Sequence, residues 1–194
     1  MKNLSKEAED LLFLKARSYH KWLPTPVPQS VLEKIYDLMK WAPTSTNMSP
    51  LRITFLTSAV KEMLYACLMP ANVPQTKEAP VTAILAYDLD FYKHLDVLSP
   101  INKARTWFEG KPDISLEAGR LNGILQAGYF IMAARACGLD CGPMTGFHQE
   151  KVDTVFFDDT PLRSFLICNL GYGDPEGVHP RGERLSFEKV CTIL

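Results

Sequence analysis

Four short runs hold the side chains best suited to chemistry. Arg17-Ser18-Tyr19-His20-Lys21 sets cations beside hydroxyls at the end of a predicted helix. Thr44-Ser45-Thr46-Asn47 gathers small hydrogen-bonding groups in a loop bounded by prolines. Gly142-Pro143-Met144-Thr145-Gly146 offers backbone N–H groups where glycine permits close approach, and Arg181 and Arg184 lie in the tail. Taken singly, each run has a plain structural explanation: a helix C-terminal charge, a turn, a strand-end loop, a solvated tail.

Other chemistries are poorly supplied. A zinc site would draw on Cys137, Cys141 and His148, but no second pair follows at ligand spacing, and Cys137 ends an apolar helix where a small thiol packs well. Nothing marks one cysteine as a low-pKa nucleophile, and none of His20, His94, His148 and His179 is placed by a local motif. No G-x-G-x-x-G follows a strand and opens a helix, and there is no P-loop. Gly171-Tyr172-Gly173 near the end has no helix after it to receive a pyrophosphate. A nucleotide cofactor would need a different architecture.

The elements that must position these runs are legible from periodicity. Helices are predicted over residues 5–17, over Val31, Leu32, Ile35, Leu38 and Met39, over Val60 to Leu68, over 114–137 and over 152–157. Strands are predicted at 52–57, 81–87 and 164–170, with 70–80 and 141–147 read as loops. The helix at 114–137 is apolar on most sides, so it is expected to be buried, with Gly119, Gly123 and Gly128 as close-packing positions and Gly138 closing it. Arg52 reads as a strand-end arginine. Helices and strands are interspersed without βαβ regularity, which points to an α+β fold.

The chain has 194 residues, and at about 100–200 residues per domain it reads as one domain, 1–194. Its 21 Lys+Arg against 22 Asp+Glu supply no electrostatic footprint, so neither nucleic acid nor membrane is expected as a partner. Five cysteines, an odd number, form no secreted disulfide framework, and the charged N-terminus lacks the apolar core of a signal peptide. A cytoplasmic protein with reduced thiols is the expectation.

Together and in order, the motifs resemble the FMN-dependent nitroreductase family. They are Ala16-Arg17-Ser18, the run from Trp41 to Arg52 (WAPTSTNMSPLR), Gly138 to Phe147 (GLDCGPMTGF) and Arg184-Leu185-Ser186-Phe187-Glu188. Trp107-Phe108, Asn169 to Asp174 (NLGYGD) and Arg184 to Glu188 (RLSFE) are also similar to segments of the branch that holds the malonic semialdehyde reductase of pyrimidine breakdown. The resemblance spans Ala16 to Leu194.

That resemblance implies an α+β fold with a mostly antiparallel sheet flanked by helices, and a homodimer with FMN at the interface. It implies an NAD(P)H-dependent reductase working by hydride transfer through flavin N5. The leading substrate is malonic semialdehyde, reduced to 3-hydroxypropionate. The alternatives are a broad quinone or nitroaromatic reductase and a non-catalytic flavin-binding protein. The implied cofactor-binding residues are Arg17, Ser18, Tyr19, Lys21, Thr44, Ser45, Thr46, Asn47, Met144, Thr145, Gly146, Arg181 and Arg184; no catalytic residue and no metal ligand is assigned. Arg17 with Arg181 or Arg184 would hold the phosphate. Ser45, Thr46 and Asn47 would serve the ribityl chain and ring edge, and a backbone N–H of Thr145 or Gly146 would face N5. Lys21 would stabilise charge near N1, and Phe91, Tyr92, Trp107 and Phe108 would cover the ring. Two departures stand out: Tyr19 where the family has serine, and Ser49 where it commonly has glutamine.

Overall fold

Branched and aromatic residues dominate the run Leu51–Leu56, and it forms strand β1. The computed structural model describes residues 3–194, the side chains of 58 and 59 apart. Strand β2 (Val81–Asp88) is buried at every residue, and β4 (Leu162–Gly171) is buried from Ile167 onward. Both read as near-continuous apolar runs because both are central: the sheet order is β1-β2-β4-β3, and every pairing is antiparallel. The α+β expectation holds.

The outermost strand, β3 (Asp140–Met144), falls where the sequence suggests a loop. Its composition, DCGPM, carries no strand propensity. Position explains it: Pro143 has no N–H to donate, and only an edge strand tolerates that. A second correction concerns 70–80. A tight turn at Pro70–Asn72 leads into helix α4 (Val73–Glu78), with Pro74 in the first turn, where a missing N–H leaves nothing unpaired. Its far end is capped from outside. The buried Lys61 ammonium, on α3 (Ser58–Tyr65), donates to the Lys77 carbonyl at 3.2 Å and to that of Ala79, and burial pushes the Lys61 pKa down.

The first helix, α1 (Lys6–Glu9), is capped by the Ser5 hydroxyl and runs into a π-helical turn at Asp10–Leu14. Helix α2 (Gln29–Met39) follows, its inner face set by Ile35 and Met39. A short helix α5 (Leu95–Leu98) precedes α6 (Pro112–Ala136), which crosses the sheet and ends at Gly138, φ +80°. Helix α7 (Gln149–Phe156) packs on β4, and α8 (Phe187–Val190) lies in the tail.

Helix α6 is not buried all round. Gly119, Gly123, Ala127, Phe130 and Ala134 face the sheet, and a Cβ on Gly123 would lie 3.2 Å from that of Tyr87. The opposite side exposes Leu121 (67%), Leu125 (45%) and Tyr129 (42%), and Gly128 has nothing within 4 Å of its missing Cβ. Two of the three glycines are therefore close-packing positions in this chain. No helix among the described residues is long and apolar enough to cross a membrane.

Candidate functional site

After the first helix the chain crosses the C-terminal end of α6 and joins the free edge of β3. Ser18 bridges Cys141 in parallel, Tyr19 N–H donates to the Cys141 carbonyl at 3.1 Å, and Leu23 N–H donates to the Tyr172 carbonyl at 2.8 Å. Extended backbone turns alternate side chains to opposite sides. Ser18 and His20 line a cavity, while the Tyr19 ring lies over Gly173, where any Cβ would collide with it.

The cavity has a volume of about 430 Å³, and its polar lining is made by the guanidiniums of Arg17, Arg135, Arg181 and Arg184, the rings of His20 and His179 and the Ser18 hydroxyl. No carboxylate among the described residues lines it. The arginines do not form ion pairs among the described residues; they donate to neutral carbonyls. Arg17 reaches His179, Arg135 reaches Leu12 at 2.9 Å, and Arg181 clamps Leu14 and Ala16 at 2.8 and 2.9 Å. Arg184 touches only its own turn, at Gly182 and Glu183, and the buried Arg135 Nε has no partner among the described residues. Four guanidiniums without an ion pair among the described residues, around one hollow, suit a doubly charged oxyanion such as a phosphate monoester. The sequence reasoning named three of them and missed Arg135, which periodicity had assigned to the helix.

The second loop is strained and well tied. Thr46, Asn47 and Ser49 have φ of 52°, 57° and 42°, uncommon for residues with a Cβ. Ser45 N–H donates to Asn122 Oδ1 at 2.9 Å, the Asn47 amide to the Leu98 carbonyl at 2.9 Å, and Ser49 N–H to Thr44 Oγ1 at 3.2 Å. Arg52 anchors the loop's exit: it pairs with Asp88 at 2.6 Å and donates to the carbonyls of Ser49 and Leu51. Its strand-end reading stands. Asn122 and Arg135 share α6 and are thirteen residues apart, or about 20 Å at 1.5 Å per residue. Within one chain, the structure therefore does not bring Thr44–Asn47 to the arginine cavity.

The third run divides. Met144 is buried in the core beside Thr76, whereas Thr145 is exposed just beyond the strand. The Gly146 carbonyl accepts from Met69 N–H at 3.0 Å and from the Asn72 amide at 2.8 Å, and Asn72 stands where a Gly146 Cβ would go. Asn72 and Gln75 were missed because their segment read as a loop. Lys21 does not line the cavity; its stem packs over Gly177. The aromatic cover also needs correction, since Phe91 and Phe108 are buried edge-to-face, 5.0 Å apart, in their own core cluster, and only Trp107 is substantially exposed.

Burial pushes the Asp140 pKa up, despite the Gly173 N–H at 2.9 Å and the nearby Arg135 charge. A carboxyl with a raised folded pKa contributes its stability below the unfolded value and loses it as pH rises through the folded one. Asp140→Asn keeps an acceptor for Gly173 and removes the buried charge. It is expected to raise the Tm at pH 7, with the gain vanishing below the ordinary carboxylate range, as thermal melts across pH would show. Three of the thiols are unsuited to nucleophilic work. Burial pushes Cys67 and Cys137 up, and the Cys141 thiol hydrogen-bonded beside it, with burial, pushes Cys168 up further.

Residues 14–172 match the model of the nitroreductase family. The chain belongs to that family. A Cupriavidus pinatubonensis protein with the provisional name NADH dehydrogenase/NAD(P)H nitroreductase is 51% identical over 191 residues, covering 96% of this chain and 97% of its own. HadB of Ralstonia pickettii, which carries the same provisional name, is 50% identical over 186 residues, with 94% and 95% covered. Among solved structures, a Staphylococcus epidermidis protein with the provisional name NAD(P)H:FMN oxidoreductase superposes with a TM-score of 0.85 at 19% identity over both full chains. A nitroreductase of Exiguobacterium sibiricum in complex with FMN gives 0.83 at 16% identity, also over both full chains. These likenesses show that the nitroreductase fold is shared from end to end.

Proposed function

We propose that this nitroreductase-family chain is an FMN-dependent, NAD(P)H-driven reductase of a small carbonyl substrate. The observation that carries the reading is the cavity of four guanidiniums without a carboxylate, which fits the phosphate of FMN. When bound, FMN supplies a two-electron carrier that takes hydride from NAD(P)H and passes it to an acceptor. Arg17, with one carbonyl contact against two each for Arg181 and Arg184, keeps the most N–H groups free for the phosphate, and both Arg181 contacts clamp the end of the first helix. Ser18 adds a hydroxyl at the cavity wall. Thr145 and Gly146 present backbone to the ring, with the donors Asn72 and Gln75 beside them.

The site is completed by a second copy. Thr44–Asn47 lies about 20 Å from the cavity within one chain, so its hydroxyls and amide would serve the ribityl chain and ring edge of the partner's cofactor. The exposed apolar side of α6 is the surface such a homodimer would cover.

The substrate reading is malonic semialdehyde, which with one hydride and one proton becomes 3-hydroxypropionate. It rests on the segments Asn169–Asp174 and Arg184–Glu188. The relatives' names favour nitroaromatics as the competing class. The test is an absorbance spectrum after dialysis against FMN, followed by NADPH without oxygen. A retained flavin band that bleaches supports the cofactor and the first half-reaction. Reoxidation by malonic semialdehyde faster than by a quinone or nitroaromatic supports the substrate, and the reverse order overturns it. Loss of all flavin at micromolar protein overturns the function.

A further inference from the structure

A chain of side-chain hydrogen bonds leads from the arginine cavity to the Thr145–Gly146 turn. His20 Nδ1 meets Gln75 Oε1 at 2.5 Å, Gln75 Nε2 donates to Asn72 Oδ1 at 2.8 Å, and Asn72 Nδ2 donates to the Gly146 carbonyl at 2.8 Å. The last acceptor settles the direction of all the others. A carbonyl can only accept, so Asn72 must turn its NH₂ toward Gly146 and its oxygen toward Gln75. Gln75 must then turn its NH₂ toward Asn72 and its oxygen toward His20. His20 is left with one role at that contact: its Nδ1 carries a proton and donates.

The chain is rigidly held. Gln75 is buried, and Thr76, fully buried beside it, donates from Oγ1 to the Asn72 carbonyl at 2.9 Å. Thr76 Oγ1 in turn accepts from the Asn169 amide at 3.2 Å, and Asn169 Oδ1 accepts from Thr82 at 2.7 Å. Neither amide can turn over without leaving two oxygens facing each other at a half-buried contact. In the direction observed, Gln75 and Asn72 each keep one N–H unused.

We propose that His20 is a positioning residue, which through this one-way chain fixes Gln75 and Asn72 as donors to the acceptor-bearing edge of the cofactor ring. The proposal rests on the FMN reading given above. It asks nothing of His20 as a proton carrier and places it in contact with no reacting atom.

Two substitutions at His20 separate the donor from the ring. In His20→Asn the side-chain NH₂ stands where Nδ1 stood, so the donor is kept. In His20→Asp an acceptor oxygen stands there, against Gln75 Oε1. FMN titration of the apoprotein, followed by flavin fluorescence, is expected to give His20→Asn within about threefold of wild type and His20→Asp weaker by about tenfold or more. Because the Asp carboxylate also enters the phosphate cavity, the titration is repeated with riboflavin, which has no phosphate to repel. The loss must persist there, and a loss confined to FMN overturns the inference. The visible flavin band should shift in the Asp variant alone. Gln75→Glu, which sets an oxygen against Asn72 Oδ1, should repeat the loss, and it supplies the reading if His20→Asp fails to fold. Equal affinity in all variants overturns the inference, as does an Asn variant as weak as the Asp variant. If wild type itself binds no FMN, the functional reading fails instead, which is a separate outcome.

Discussion

Arg17→Ala is expected to weaken FMN binding to the apoprotein by about a hundredfold while leaving the Tm nearly unchanged. A charge-assisted hydrogen bond contributes about 1.5–3 kcal/mol, and a guanidinium that grips a phosphate with two N–H groups contributes near the upper end. Its only side-chain hydrogen bond among the described residues is to the His179 carbonyl at the cavity wall, so little of the fold depends on it. Arg181→Ala should behave oppositely. Its guanidinium holds the carbonyls of Leu14 and Ala16, so the main loss is stability of the N-terminal segment, and affinity falls less. Fluorescence titration and a thermal melt of each variant make the comparison. If Arg17→Ala binds FMN as tightly as wild type, the cavity is not the phosphate site.

The largest effect on stability is expected from Gly171→Ala. Gly171 ends β4 opposite Asp140, and an added Cβ would stand 2.6 Å from both Cγ and Cδ of Pro80 and 3.1 Å from the Trp22 ring. A proline ring can change only its pucker, which moves Cγ by a fraction of an ångström and leaves Cδ nearly in place, and Pro80 joins α4 to β2, so the strain passes into the helix that carries Gln75. Overpacking of this kind costs about 1–3 kcal/mol, which for a chain of this size lowers the Tm by about 2–12 °C. A calorimetric scan of the apoprotein measures it. An unchanged Tm would mean that the strand end relaxes freely.

The sheet's central strands and the long helix were legible because their apolar patterns follow directly from burial on a 2.0 or 3.6 period. β3 and α4 were not, because neither is specified by its own residues. Asp140–Met144 becomes a strand because β4 and the Ser18 segment lie on either side of it. Val73–Glu78 becomes a helix because Lys61, twelve residues upstream of its first residue, caps its end. The candidate site divides the same way. Arg17, Arg181 and Arg184 stand out in the sequence as cations in short motifs, and the structure gathers them. Arg135, Asn72 and Gln75 sit inside elements whose periodicity or proline content gave them another explanation. The exposed side of α6 was misread for a related reason: periodicity reports which residues are apolar, not which surface covers them.

Pro143 has one more consequence. An edge strand offers a row of unpaired N–H and C=O groups on which another chain can zip, and the N-terminal segment covers that row on β3 through the bridge at Cys141 and the Tyr19 bond. When that segment peels away, the exposed edge still has a gap in its row of donors at Pro143. A newly made chain waiting for its cofactor is thus a poor template for aggregation, even in its partly opened form.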